Sequence, residues 1–182
     1  LARKLNERAD SFVAVNVHVY YSGAELTVAF LLCNSATLFT KNKERLFFVA
    51  FCFLDSGAKA RLDAHDTARR LREAEVRVYF RACDVRESLD VKHFVAEVLE
   101  ELGGIHILIN NAGVSRDRPL WKMEDHEWES VVRTNLDGAF YFTRAVAPTM
   151  RAQEYGKIVN IASVHGIRTV FGISNYTSSK AG

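Results

Sequence analysis

Proline is scarce in this chain, at 2 residues of 182. That excludes a proline-rich linker or low-complexity protein. Cysteine is nearly as scarce. Cys33, Cys52 and Cys83 are odd in number and widely spaced, so no disulfide framework is expected and a reducing compartment is the default. No Cys-x-x-Cys or Cys/His cluster occurs, and His18, His65, His93, His106 and His126 lack metal-ligand spacing; no metal is expected. Excess charge is missing too. Lys+Arg minus Asp+Glu is 24 − 22 = +2, which gives no argument for nucleic acid or an anionic membrane as partner. Long hydrophobic runs are also absent. LFFVAFCFL at 46–54 lies between Arg45 and Asp55, while a membrane-spanning helix needs about 20 residues. The opening LARKLNERAD is charged and lacks the apolar stretch of a signal peptide. The expected compartment is the cytoplasm, or an organelle stroma or matrix if a targeting peptide has been lost.

What is present is an ordinary globular composition, 48% hydrophobic and 25% charged, over roughly one domain's length. From residue 57 the pattern is regular. Residues 64–74 read as a polar helix and Val76–Ala82 as a strand. Leu89, Val91, Phe94, Val95, Val98, Leu99 and Leu102 have helical spacing over Ser88–Leu102, and Gly103-Gly104 stops that helix. Ile105–Ile109 and Gly156–Ala162 read as buried strands. Residues 124–151 read as a long helix that Pro148 should kink or break. Another helix starts near Ser174. Strands alternating with helices predict an α/β fold: a doubly wound parallel sheet between two helix layers. Its ligands bind at the carboxyl ends of the strands. Asp84, Asn110 to Gly113, and Ser163 all lie there. Residues 1–56 are less orderly. Leu1–Ala9 reads as a helix end and Phe12–Tyr20 as a strand. The segment 27–56 reads as an insertion into a single domain covering 1–182. Trp121 and Trp128 read as packing residues.

Tyr176 and Lys180 are four apart at a helix start, so they share one helix face. A free phenol has a pKa near 10; work as an acid or base near pH 7 needs a drop of about 3 units, about 4 kcal/mol. A close ammonium can supply part of it. A lone Tyr-x-x-x-Lys is weak evidence, but this one is accompanied. Ser163 follows the strand GKIVNIA, Asn135 sits in TNLDG, and NNAG at 110–113 follows the strand IHILI. Ser163 with His165 invites a hydrolase reading, but no G-x-S-x-G surrounds the serine.

In this order and spacing the motifs NNAG, TNLDG, GKIVNIAS and NYTSSKAG resemble the short-chain dehydrogenase/reductase family. The resemblance runs from about Asp84 to Gly182. Within the family it is most similar to 3-oxoacyl-[acyl-carrier-protein] reductases and acetoacetyl-CoA reductases. It implies an NAD(P)(H)-dependent oxidoreductase that reduces a carbonyl to an alcohol. Tyr176 would be the general acid. Lys180 would assist it and bond the nicotinamide ribose. Ser163 would donate to the substrate oxygen, and Asn135 would hold a relay water. Asp84 would meet the adenine, and Asn111, Ala112 and Gly113 would line the cofactor. The substrate would be a small molecule or acyl thioester, and the complete protein a homo-oligomer, dimer or tetramer.

The sequence departs from the family in its outer parts. No glycine-rich pyrophosphate loop occurs, and the chain ends two residues after Lys180. The expectation is a Rossmann-like fold lacking the first strand, its loop and the last strands, truncated at both ends. Removing a central strand would unpair on the order of ten backbone groups at about 1–3 kcal/mol each. Something must then fill the gap, and LFFVAFCFL is apolar enough to do so. With 16–22 taken as the end of the second strand, no acid precedes Glu25, which favours NADP over NAD. Two alternatives stand beside the thioester reductase: a catalytically silent interaction module without a cofactor cradle, and a family member acting on another alcohol or ketone.

Overall fold

The computed structural model of the chain describes residues 26–32, 47–53, 69, 72–73 and 77–182. Its strands are β1 (Leu26–Leu32), β2 (Phe47–Phe53), β3 (Arg77–Ala82), β4 (Ile107–Asn110) and β5 (Lys157–Asn160). All pair in parallel, in the order β3-β2-β1-β4-β5. Order reversal at β1 is the doubly wound pattern, with its ligand crevice at the carboxyl ends of β1 and β4.

The central place is filled by Leu26–Leu32, between β2 and β4. Ala29 faces Ala50 on one side and Leu108 on the other. The two apolar bursts expected as an insertion are therefore adjacent strands of the sheet itself. LFFVAFCFL does enter the sheet, but between β1 and β3 rather than at the centre. The physical reason lies in composition: LTVAFLL, apolar except for Thr27, and FFVAFCF are near-continuous apolar runs, as buried parallel strands are. The strand expected at Phe12–Tyr20 and most of the helix at 64–74 lie outside the described residues.

Helix α1 (Ser88–Leu102) buries Val91, Phe94, Val95, Val98 and Leu102, a stripe at helical spacing. Gly103 closes it with φ +82, its N–H reaching the Leu99 carbonyl at 2.9 Å; glycine enters this left-handed region at little cost. Helix α2 (Asp125–Val132) starts with a capping box between Glu124 and Glu127. A π-helical segment, Arg133–Asp137, joins it to α3 (Gly138–Ala152). Phe142, Val146 and Met150 of α3 meet the α1 stripe in one core. The Phe94 and Phe142 rings lie edge to face, 6.0 Å apart. Pro148 does not end α3, which continues to Ala152. Buried Met150 and the bond from Gln153 N–H to the Thr149 carbonyl, 2.9 Å, hold the last turn. Helix α4 is Ser174–Ala181.

β4 is buried along its whole length, but all four residues of β5 are exposed. β5 was expected to be buried. It pairs only with β4 among the described strands, so Ile158 and Val159 keep open surface. No helix among the described residues is long and apolar enough to cross a membrane.

Candidate active site

The motif residues converge beyond the carboxyl ends of β4 and β5. Ser163 follows β5 in extended backbone and caps a short 3-10 turn, Val164–Gly166. Its Oγ accepts from the His165 N–H at 3.2 Å. That leaves the Ser163 hydroxyl proton without a partner among the described residues. The His165 ring meets the Tyr176 ring edge-on, with centroids 6.5 Å apart. Tyr176 lies in the first turn of α4, one turn before Lys180. The Lys180 Nζ is 6.0 Å from the Tyr176 ring centroid and donates to the Ile161 carbonyl at 2.7 Å. Burial pushes the Lys180 ammonium below its ordinary pKa, because the charged form loses hydration. The 3-10 turn lies against α4 so closely that a Cβ on Gly166 would sit 2.6 Å from the Lys180 carbonyl oxygen.

The loop after β4 faces the same place. A Cβ on Gly113 would lie 3.6 Å from Lys180 Nζ and 3.5 Å from Asn135 Oδ1. Asn111, Ala112 and Gly113 are half-buried. Asn135 sits within the π-helical segment and is itself buried. Its Oδ1 accepts from the Val114 N–H at 2.8 Å. Its Nδ2 donates to the Val114 carbonyl at 3.0 Å and to the Ser179 Oγ at 2.9 Å. Asn135 thus grips both backbone groups of Val114 and holds them to α4. Both Nδ2 protons are engaged in these contacts, while Oδ1 keeps a second lone pair. A π turn adds a residue to the helical ladder and often marks a functional site.

Asp84 lies at the other end of the crevice, past β3. Its carboxylate accepts from the Arg86 backbone N–H at 3.0 Å and from Arg86 Nε and Nη2 at 2.9 and 2.6 Å. The hydrogen-bonded Arg86 guanidinium holds this carboxyl below the usual carboxylate range. Asp84 thus follows β3, whereas Ser163 follows β5.

Three partners were not assigned from the sequence: Arg86, Asn175 and Ser179. Ser179 accepts from Asn135 and donates to the Tyr176 carbonyl at 2.8 Å. A serine inside a helix commonly bonds the carbonyl three or four residues back, so this part was readable. The tie to Asn135 was not, because 44 residues separate the two.

The profile of the family described as short chain dehydrogenase matches residues 52–182. The chain belongs to that family. Among curated relatives, an acetoacetyl-CoA reductase of Allochromatium vinosum is 37% identical over 140 residues, covering 77% of this chain and 55% of that protein. A 3-oxoacyl-[acyl-carrier-protein] reductase of Thermotoga maritima is 41% identical over 99 residues, 54% of this chain and 40% of that protein. An actinorhodin polyketide ketoreductase solved with NADPH superimposes with a TM-score of 0.67 at 36% identity, over 75% of this chain and 51% of its own. This short chain dehydrogenase spans about half the length of the relatives it matches.

The residues present fit one half of an NAD(P) cofactor. Lys180 and the Asn111 to Gly113 loop would flank the nicotinamide ribose, and Asp84 would face the adenine. For the pyrophosphate the fit is poorer: residues 33–46, between β1 and β2, contain no glycine. The strand that bears on NADP against NAD also lies elsewhere than expected. The end of the second strand was expected at 16–22, whereas β2 ends at Phe53 and the chain continues Leu54-Asp55.

Proposed function

We propose that this site reduces the 3-keto group of a 3-oxoacyl thioester to the 3-hydroxy form. The observation that carries the reading is the convergence of Ser163, Tyr176 and Lys180 beyond β5. A free serine hydroxyl, a tyrosine and a desolvated ammonium there fit the reduction of a carbonyl. The names of the two reductases among the relatives support the thioester as substrate. NAD(P)H, when bound, supplies the hydride that reaches the carbonyl carbon. The chain's own groups handle the oxygen. Ser163 donates to it and polarises the carbonyl. Tyr176 transfers its hydroxyl proton to it, completing the alcohol. Lys180 favours the phenolate left behind, because a cation nearby stabilises an anion in a partly dry cleft. Exposed Ile167, Val170 and Phe171 on the loop between Ser163 and Tyr176 offer apolar surface to an acyl chain.

Cofactor preference divides. Asp55 beyond β2 argues for NADH, since an acid there bonds ribose hydroxyls; the solved ketoreductase carries NADPH. The test is acetoacetyl-CoA with NADPH and, separately, NADH, followed by loss of the reduced cofactor's absorbance. Saturable turnover with either supports the reading, and its absence with both removes it.

A second reading, an interaction module without catalysis, is favoured by the glycine-free stretch 33–46. Fluorescence titration with both cofactors separates the two: a folded chain that binds neither is the module.

A further inference from the structure

We infer that Asn175 is a positioning residue for the general acid, an inference that rests on the proposed reduction. Asn175 is completely buried, at 0% exposure. It immediately precedes Tyr176. Its Oδ1 accepts from the Tyr176 N–H at 2.7 Å. Its Nδ2 donates to the Arg116 carbonyl at 2.9 Å and to the Glu127 carbonyl at 3.4 Å. Carbonyls only accept and an N–H only donates, so these contacts admit one orientation of the amide.

The Tyr176 N–H needs such a partner. The α4 ladder begins with Thr177 N–H on the Ile173 carbonyl at 2.8 Å. Tyr176 therefore belongs to the first turn, whose N–H groups have no partner within the helix. The carbonyl of Tyr176 is held as well, by Ser179 Oγ. Both backbone groups of the proposed acid are thus fixed by side chains.

Asn175 also ties that turn to two other elements. Arg116 lies on the loop that continues from Val114, the residue gripped by Asn135. The same loop is joined to the approach to α4 by the Arg118 N–H on the Gly172 carbonyl, 2.7 Å. Glu127 belongs to α2, and its carboxylate is occupied by Arg118 Nε and the Glu124 N–H, both at 2.9 Å. Asn135 fixes one end of this loop beside Lys180, and Asn175 fixes the other to the turn that carries Tyr176. A proton donor must lie within hydrogen-bond reach of its acceptor, and small displacements cost rate steeply.

The experiment is steady-state kinetics of Asn175→Ala and Asn175→Ser, with sites counted by cofactor titration. Per cofactor-binding site, Asn175→Ala should lose about tenfold or more in kcat, with KM for thioester and cofactor within about twofold. The pH profile of kcat should move. Asn175→Ser, whose hydroxyl reaches one partner at most, should fall between. A kcat per site within twofold of the wild type, with an unmoved pH profile, overturns the inference. Amide hydrogen exchange of the unmodified chain tests it without a variant. The Tyr176 N–H should exchange slowly, and free exchange also overturns it. A wild type without turnover defeats the proposed reaction instead, and the exchange result then stands alone on the clasp.

Discussion

The Lys180 Nζ and the Ile161 carbonyl are joined at 2.7 Å, so the proposed catalytic helix is tied to the backbone just after β5. Among the described residues no carboxylate is bonded to this ammonium. Burial strips hydration from the charged form and depresses its pKa, and the carbonyl dipole returns only part of that hydration. Such a group is costly to fold and useful once an anion forms beside it.

Lys180→Met should therefore raise the melting temperature of the cofactor-free chain at pH 7, by about 2 °C or more. The sign follows from the lowered pKa. Below the depressed value lysine is charged in both states and the burial cost is full. As pH rises from there toward the ordinary value of about 10.4, that cost fades. The stability difference between variant and wild type should shrink on the alkaline side. Calorimetry across pH reads it, and a variant that melts lower than wild type at pH 7 contradicts it.

Tyr176→Phe removes the proton donor and leaves the ring. Turnover should fall at least a hundredfold, within the span expected for a general acid, while cofactor affinity stays within about twofold. Near-normal kcat would remove Tyr176 as the acid.

Gly166→Ala places a methyl carbon 2.6 Å from the Lys180 carbonyl oxygen. A backbone oxygen cannot swing aside, so the turn must move off α4. The cost should be about 1–3 kcal/mol, as for overpacking, with loss of activity because Ser163 moves with the turn. Denaturant midpoints and kcat measured together check both parts.

Phe94→Ala empties the contact with Phe142 in the core between α1 and α3. Phe94 is 1% exposed, and truncation at such a site costs about 3–5 kcal/mol. Against a domain stability of about 5–15 kcal/mol this is large. An unfolding midpoint close to wild type would mean that this core does not carry the fold.

Arg86→Ala releases the Asp84 carboxylate. Because the folded-state pKa of Asp84 is lowered, its contribution to stability is present above the unfolded value of about 3.9. It is lost as pH falls through the lower folded value. The variant should unfold at a slightly higher pH on the acid side, by a few tenths of a unit, because the pair is partly exposed. It should also bind the dinucleotide more weakly, since the carboxylate loses its orientation. An unchanged acid limb and unchanged cofactor affinity would show that the pair contributes to neither.

The sequence by itself determined the places of the helices and strands from β3 onward, except that the one helix read over 124–151 is two α-helices joined by the π-helical segment Arg133–Asp137. Periodicity in α1, glycines at its end, and apolar runs in β4 and β5 are local signals. It also determined the family, because Asn135, Ser163, Tyr176 and Lys180 stand at informative spacings whatever the fold does. Only tertiary structure decided the centre of the sheet. Apolar runs such as LTVAFLL and FFVAFCF carry no label for their slot, which pairing with neighbours assigns. Burial of β5 was likewise not a local property, since an apolar strand is covered only if something packs on it. The clasps of Asn135 on Val114 and of Asn175 on Arg116 and Glu127 join residues distant in the chain. Polar side chains of this kind look the same in sequence whether they face water or close the first turn of a catalytic helix. Long-range hydrogen bonds made that distinction.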